Sequence, residues 1–472
     1  MTDSAAGGMP TIPADTPLPT LDYSEHQAEQ RSRARGVRVT QLAPIGAPPS
    51  EGPAPMPGAA PAATLPIPPI PLATPGARVL IFKQDPSVAE IGVRKAFLPK
   101  KVFAGPKDAR IAITGLPVVT PNVFGDLLVD PSANPQGFDA VHTFAIVRMT
   151  LTMYQRAFAG AQLPWQWNTG GNTDVLTVFP HAGVTQNAFY SRTAKALKFF
   201  FFDSGTPPQT IFTCRSLDIV AHETGHAVLD ALKPGWLLSG NPPQTGGLHE
   251  SFGDLTAIFL TLSQLDQCEA VIAQTKANLH ARNFLVDLAE QFGLALGRPN
   301  GLRNADNDLK LSQVGTEVHA ISQVFTGGIF DVLADIFALE RDPAKRDDAV
   351  VLHDTAQYVA SLVLRAIKQA PASGATFASV VNKMLSIVTS DGKPAAYRAA
   401  IVTRFAFREV VSPSALSLAG EDSDGEVEAG YVDAEDAVQD RSGCCGTMQL
   451  DEYIEGVPSL DDEIAALAEE FK

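Results

Sequence analysis

At 472 residues and 50.0 kDa the chain is too long for one ordinary hydrophobic core, so two or more packed units with extended segments are expected. Its 45% hydrophobic content excludes a wholly disordered protein, and a net charge of -16 argues against nucleic acid or an anionic membrane as a main partner. The first twenty residues carry neither a basic start nor an apolar core, and no later run reads as a membrane span. Of the cysteines Cys214, Cys268, Cys444 and Cys445, the last two are adjacent, a poor disulfide framework, so a reducing, cytoplasmic setting is expected.

Residues 1–76 are dominated by Pro, Ala and Gly, a composition that favours extended chain and cannot bury a core. Folded sequence begins at residue 77 with RVLIFKQD, AFLPKKVF and ARIAIT, short β-rich runs separated by turn residues. Helical apolar spacing then covers residues 138–160, strand-like pieces return in DVLTVFPHAG and ALKFFFFDSG, and the remainder to about residue 411 is mainly helical. The expected organisation is therefore α+β: a mixed, β-rich unit over 77–233, a helical unit over 234–411, and an acidic linker with a short terminal helix over 412–472. In that last stretch Ser459 with Asp462 forms a helix-start signature, and Ile464, Leu467 and Phe471 make an apolar stripe.

The stretch AHETGHAVLDALKPG lies on a helix expected over residues 216–233. Residues four apart share one helix face about 6 Å apart, so His222 and His226 can offer two nitrogens to one tetrahedral ion. Glu223 then stands beside the ion, placed to take a proton from an activated water and return it to a leaving amine. A catalytic zinc needs a third protein ligand, and GGLHESFGDLTAIFLTL supplies Glu250, with Asp254 one turn later able to accept a free ring proton from a ligand histidine. A structural polar pair remains the alternative, but two histidines and a glutamate buried unpaired in an apolar helix would be costly.

These two motifs, His222-Glu223-Thr224-Gly225-His226 and Glu250-Ser251-Phe252-Gly253-Asp254, resemble those of the thermolysin family of gluzincin metallopeptidases. Asp218 and residues 227–230 also look like the family helix, and the resemblance spans about residues 77–411. It implies a thermolysin-like zincin fold that binds zinc through His222, His226 and Glu250 and acts on a peptide or protein substrate. It further implies that an edge strand with Asn187 and Ala188 binds substrate backbone, that His319 stabilises the oxyanion, and that Leu302 and Arg303 serve the substrate pocket. The pattern departs from the family in four places. No tyrosine lies between His226 and Glu250, which leaves Trp236 or a distant tyrosine as a replacement donor. Val314 stands where an acid would orient His319, which turns attention to Glu317. Thr261 replaces a calcium-binding acid and leaves Asp218 without its usual partner, so the resemblance does not extend to the family's calcium sites. His249 occupies an asparagine position, either supporting a ligand or exposed. Two functions are compatible with this reading: a zinc endopeptidase preferring apolar residues after the scissile bond, and a zinc-containing peptide-binding protein with weak or no turnover. A thiolate from Cys444 or Cys445 reaching the zinc is the alternative to two incidental thiols. Oligomeric state is not legible from the chain.

Overall fold

The computed structural model describes residues 76–88, 92–158, 163–297 and 301–412. The Pro-rich arm, the acidic linker, the terminal helix, Cys444 and Cys445 all lie outside the described residues. The described part is a mixed α and β protein, as expected of an α+β chain.

The front half carries the strands. β1 (Ala77–Phe82) and β2 (Val93–Leu98) form an antiparallel pair, followed by β3 (Ile111–Ile113) and the long helix α1 (Pro135–Ala157). α1 starts three residues earlier than the apolar spacing suggested because Asn134 caps it, accepting from Gly137 N at 2.9 Å, with Pro135 in the first turn. Next come β4 (Leu176–Phe179), β5 (Ala188–Ser191), β6 (Ala196–Phe199), β7 (Phe201–Ser204) and β8 (Gln209–Phe212). The apolar run ALKFFFFDSG thus breaks at Phe200 into two strands of different sheets. β3, β4, β6 and β5 make one sheet in that order, parallel except for the last pair, so β5 is an edge. β7 and β8 pair separately.

The back half is helical: α2 (Leu217–Leu232), α3 (Pro243–Leu262), α4 (Leu265–Thr275), and the short α5 (Glu290–Ala295) flanked by the paired β9 (Asp287–Leu288) and β10 (Arg303–Asn304). Then follow α6 (Val318–Glu340), α7 (Asp348–Gln369), α8 (Phe377–Ser390) and α9 (Ala395–Phe407). One hydrophobic core runs from Ala77 to Val411 through both halves. α6 is long and apolar enough by composition to cross a membrane, a feature the sequence reading did not single out. It packs against α3, α7 and α9 with 83% of its most apolar window buried, the habit of a central core helix.

Two glycines set the crossing that matters most. A Cβ on Gly225 of α2 would lie 3.2 Å from Gly253 Cα and 2.6 Å from Thr256 Oγ1 of α3. A Cβ on Gly253 would lie 2.6 Å from the His222 ring. Bare backbone at both positions lets α2 and α3 approach closely enough to face their motif residues toward one another.

Candidate active site

α2 begins at Ser216 and turns His222 and His226 to the same side, their ring centroids 4.6 Å apart. α3 crosses that side and delivers Glu250. His222 Nε2 stands 3.5 Å from Glu250 Oε2, and His226 Nε2 stands 3.5 Å from Glu250 Oε1. Ligand atoms from the three residues lie within 4.8 Å of one another. Tetrahedral ligands bonded at about 2.0–2.1 Å stand about 3.3–3.5 Å apart, so these separations suit one small cation. The donor atoms are buried, and neither the two Nε2 atoms nor the Glu250 oxygens has a hydrogen-bond partner among the described residues. Such a set of buried acceptors is costly unless a cation satisfies it. The residues therefore fit a metal ion, and zinc suits two imidazoles and a carboxylate.

The surrounding groups fix the rings. His222 Nδ1 donates to Asp254 Oδ1 at 2.9 Å, and Arg303 on β10 grips the same carboxylate with Nε to Oδ2 at 2.9 Å and Nη2 to Oδ1 at 2.6 Å. Burial opposes ionisation of Asp254, yet Arg303 and His222 bring its pKa down to about 2. Arg303 is thus 9% exposed and built into the support of the His222 ring rather than lying on the surface. On the other ligand, His226 Nδ1 and His249 Nδ1 are 2.8 Å apart. His249 is fully buried, which pushes its pKa down to about 3 and keeps it a neutral acceptor for the His226 ring proton. Of the two placements open for His249, the structure has it buried against the His226 ring and not exposed.

Glu223 is wholly buried beside the donor set, with the main chain of Tyr190 on β5 facing it. Burial, only partly offset by the His222 ring and reinforced by Glu250, raises its pKa to about 8. A bound cation would draw that value back down. His319 opens α6 and its Nε2 lies 3.4 Å from Glu250 Oε2. Its Nδ1 is 2.5 Å from Glu317 Oε1, the carboxylate that also caps α6 by accepting from His319 N and Ala320 N. Glu317 therefore does the orienting that Val314 cannot. Ala188 lies on β5 with its N–H accepted by Asn187 Oδ1 at 2.8 Å, while the Asn187 carbonyl accepts from Phe200 N at 3.3 Å.

Neither replacement for the loop tyrosine stands ready. Trp236 is buried and donates to Pro371 O at 2.9 Å, and Tyr190 donates to Asp230 Oδ2 at 2.7 Å. Arg192 also holds Asp230 and so ties the end of β5 to α2. Among the described residues the other tyrosines bond elsewhere: Tyr154 to Thr256, Tyr358 to Asp391 and Tyr397 to Glu340. Asp218, the family-like acid before His222, is buried near Asp85 and accepts from Ala289 N at 3.2 Å. It borders a narrow, mostly apolar pocket lined by Ile219, His222, Leu288, Leu302 and Arg303.

Gly225, Gly253 and Arg192 were not singled out from the sequence, and Asp230 only as part of the family-like helix. The glycines stood inside both motifs, one residue before His226 and one before Asp254, and could have been read as a close crossing. Arg192 is distant from Asp230 in the chain, so their pairing carried no signal. No protein-family model and no curated protein matches the chain. Among solved structures it is similar to the precursor of protealysin, a metalloproteinase from Serratia proteamaculans, at 14% identity and a TM-score of 0.40, covering 65% of this chain and 88% of that one.

Proposed function

We propose that the protein is a zinc-dependent endopeptidase. The observation that carries the reading is the convergence of His222 Nε2, His226 Nε2 and Glu250 on one buried point with the Glu223 carboxylate beside it. Zinc held there supplies Lewis acidity, which acidifies water and polarises a substrate carbonyl. Glu223 takes the proton of the attacking water and returns it to the departing amine. His319, steadied through Nδ1 by Glu317, donates from Nε2 to the developing oxyanion. β5 offers an edge to an extended peptide, with Asn187 and Ala188 at its start. Arg303 keeps Asp254 charged and lines the pocket whose aliphatic walls, Ile219, Leu288 and Leu302, favour an apolar residue after the scissile bond.

A second reading, a zinc-bearing peptide-binding protein with little turnover, is favoured by one observation: the hydroxyl of Tyr190 and the indole of Trp236 are both committed to structural partners. Metal analysis and digestion of a broad peptide library with and without a chelator separate the two. Glu223→Gln is expected to keep zinc and to lose turnover by about 100-fold to 10,000-fold; retained turnover in a pure sample would exclude Glu223 as the base, and identical fragments with and without chelator would favour the binder.

A further inference from the structure

A second pocket has no part in this site. It opens beside β1, β2 and α1, has a volume of about 270 Å3, and is lined by Lys83, Lys95, Phe97, Met149, Met153 and Arg156. Lys83 Nζ is 2.5 Å from Asp266 Oδ2, but among the described residues Lys95 and Arg156 form no ion pair. Phe97 is 63% exposed. Thr152, Ser263, Gln264 and Asp266 also line it, so the pocket is largely polar, with Lys95 and Arg156 set beside the thioethers of Met149 and Met153 and the exposed Phe97 ring.

Charge is distributed in a way the net value conceals. Residues 412–472 hold seventeen acids and two bases, a net -15 of the chain's -16, which leaves -1 for residues 1–411. Within the folded part, residues 93–110 hold six bases and one acid, whereas residues 111–411 hold 22 bases against 26 acids. The strongest positive stretch of the folded part thus borders the pocket, and the strongest negative stretch of the chain is the tail. The last fourteen residues, SLDDEIAALAEEFK, combine five acids with Ile464, Leu467 and Phe471 at helical spacing.

Reach is sufficient. The 47 residues from 412 to 458 span roughly 40 Å as a coil, against a radius of gyration of about 20 Å for a body of this size. Tethering at that range gives an effective concentration near the millimolar level, so a site of only about 100 μM intrinsic affinity would be mostly filled.

We propose that residues 459–472 dock in the same chain onto this pocket, the acids facing Lys95 and Arg156 and the apolar stripe covering Phe97, Met149 and Met153. The test joins carboxylates to amines in the full-length chain with a zero-length carbodiimide at low salt, isolates the monomer band and maps the linked peptides. Lys95 is expected to be linked to acids of residues 459–472 at least about fivefold more than Lys345, an exposed control lysine. That excess should fall at least about fivefold in 0.5 M salt and in each of two separate variants, Arg156→Glu and Phe97→Glu, which leave Lys95 as the reporter. Equal linkage of Lys95 and Lys345, or an excess untouched by both variants, overturns the proposal. An excess found only in the dimer band assigns the pocket to a second copy and overturns docking within the chain.

Discussion

Gly253→Ala is the sharpest probe of how the metal centre is built. The new methyl carbon would lie 2.6 Å from both Cε1 and Nδ1 of His222, against a comfortable separation of about 3.5 Å or more, an overlap near 1 Å. The ring cannot simply swing away, because Asp254 holds Nδ1 at 2.9 Å and Arg303 holds Asp254 in turn. Nor can α2 slide off easily, since its Gly225 already meets the Gly253 backbone. Overpacking costs about 1–3 kcal/mol, while alanine regains about 1 kcal/mol of helix propensity, so the net loss of stability is small, about 0–2 kcal/mol. Metal binding responds far more, because a shift of Nε2 near 1 Å greatly exceeds the tolerance of about 0.2 Å on a metal bond. Zinc affinity is expected to fall at least about 10-fold to 100-fold, read by competition with a chromophoric chelator. Gly327→Ala, whose methyl would press on the buried Arg408 guanidinium 2.8 Å away, serves as a control that costs stability without weakening zinc. Gly253→Ala binding zinc within twofold of the parent would refute the reasoning.

Removing the imidazole that accepts from His226 gives a related test: His249→Ala should weaken zinc about 10-fold to 100-fold, and His249→Asn, which keeps an acceptor, should recover most of it by the same competition. If both variants bind equally, the His226–His249 contact does not position the ligand. Stability should also fall in mild acid through a residue remote from metal. His142 is fully buried between Phe82 and Phe138, and burial lowers its pKa to about 4 from 6.5. The unfolded chain therefore binds the proton first, so this group costs nothing above about pH 7 and destabilises progressively as pH falls from about 6.5 to about 4, reaching about 2 kcal/mol at pH 5. Denaturant unfolding of His142→Phe should show a pH 7 to pH 5 loss smaller by about that amount; an unchanged loss would mean that the native ring titrates normally.

Much of the candidate centre was legible because it is helical and local. A period of 3.6 residues puts His222 over His226 and Glu250 over Asp254 whatever the rest of the chain does. Ser216 and Lys233 bounded the helix of His222 and His226 correctly for the same reason, one as N-cap and the other as C-cap. Where a choice depended on neighbours distant in sequence, the residues alone left it open. His249 could equally have been exposed, Arg303 had no visible carboxylate, and Trp236 or a distant tyrosine was open as a donor, whereas in the fold Pro371 takes the Trp236 indole and Asp230 the Tyr190 hydroxyl. The run ALKFFFFDSG carried no mark of its break between sheets, since an apolar string has the same appearance in one strand or two.

The sequence by itself therefore determined which side chains share a helix face and which chemistry that spacing suits. Only the tertiary structure decided that two such faces meet, through the Gly225 and Gly253 contact, and which buried partner satisfies each ring. Helix periodicity is a property of the nearby backbone, whereas hydrogen-bond pairing in a core depends on whatever donor or acceptor packing brings within about 3 Å.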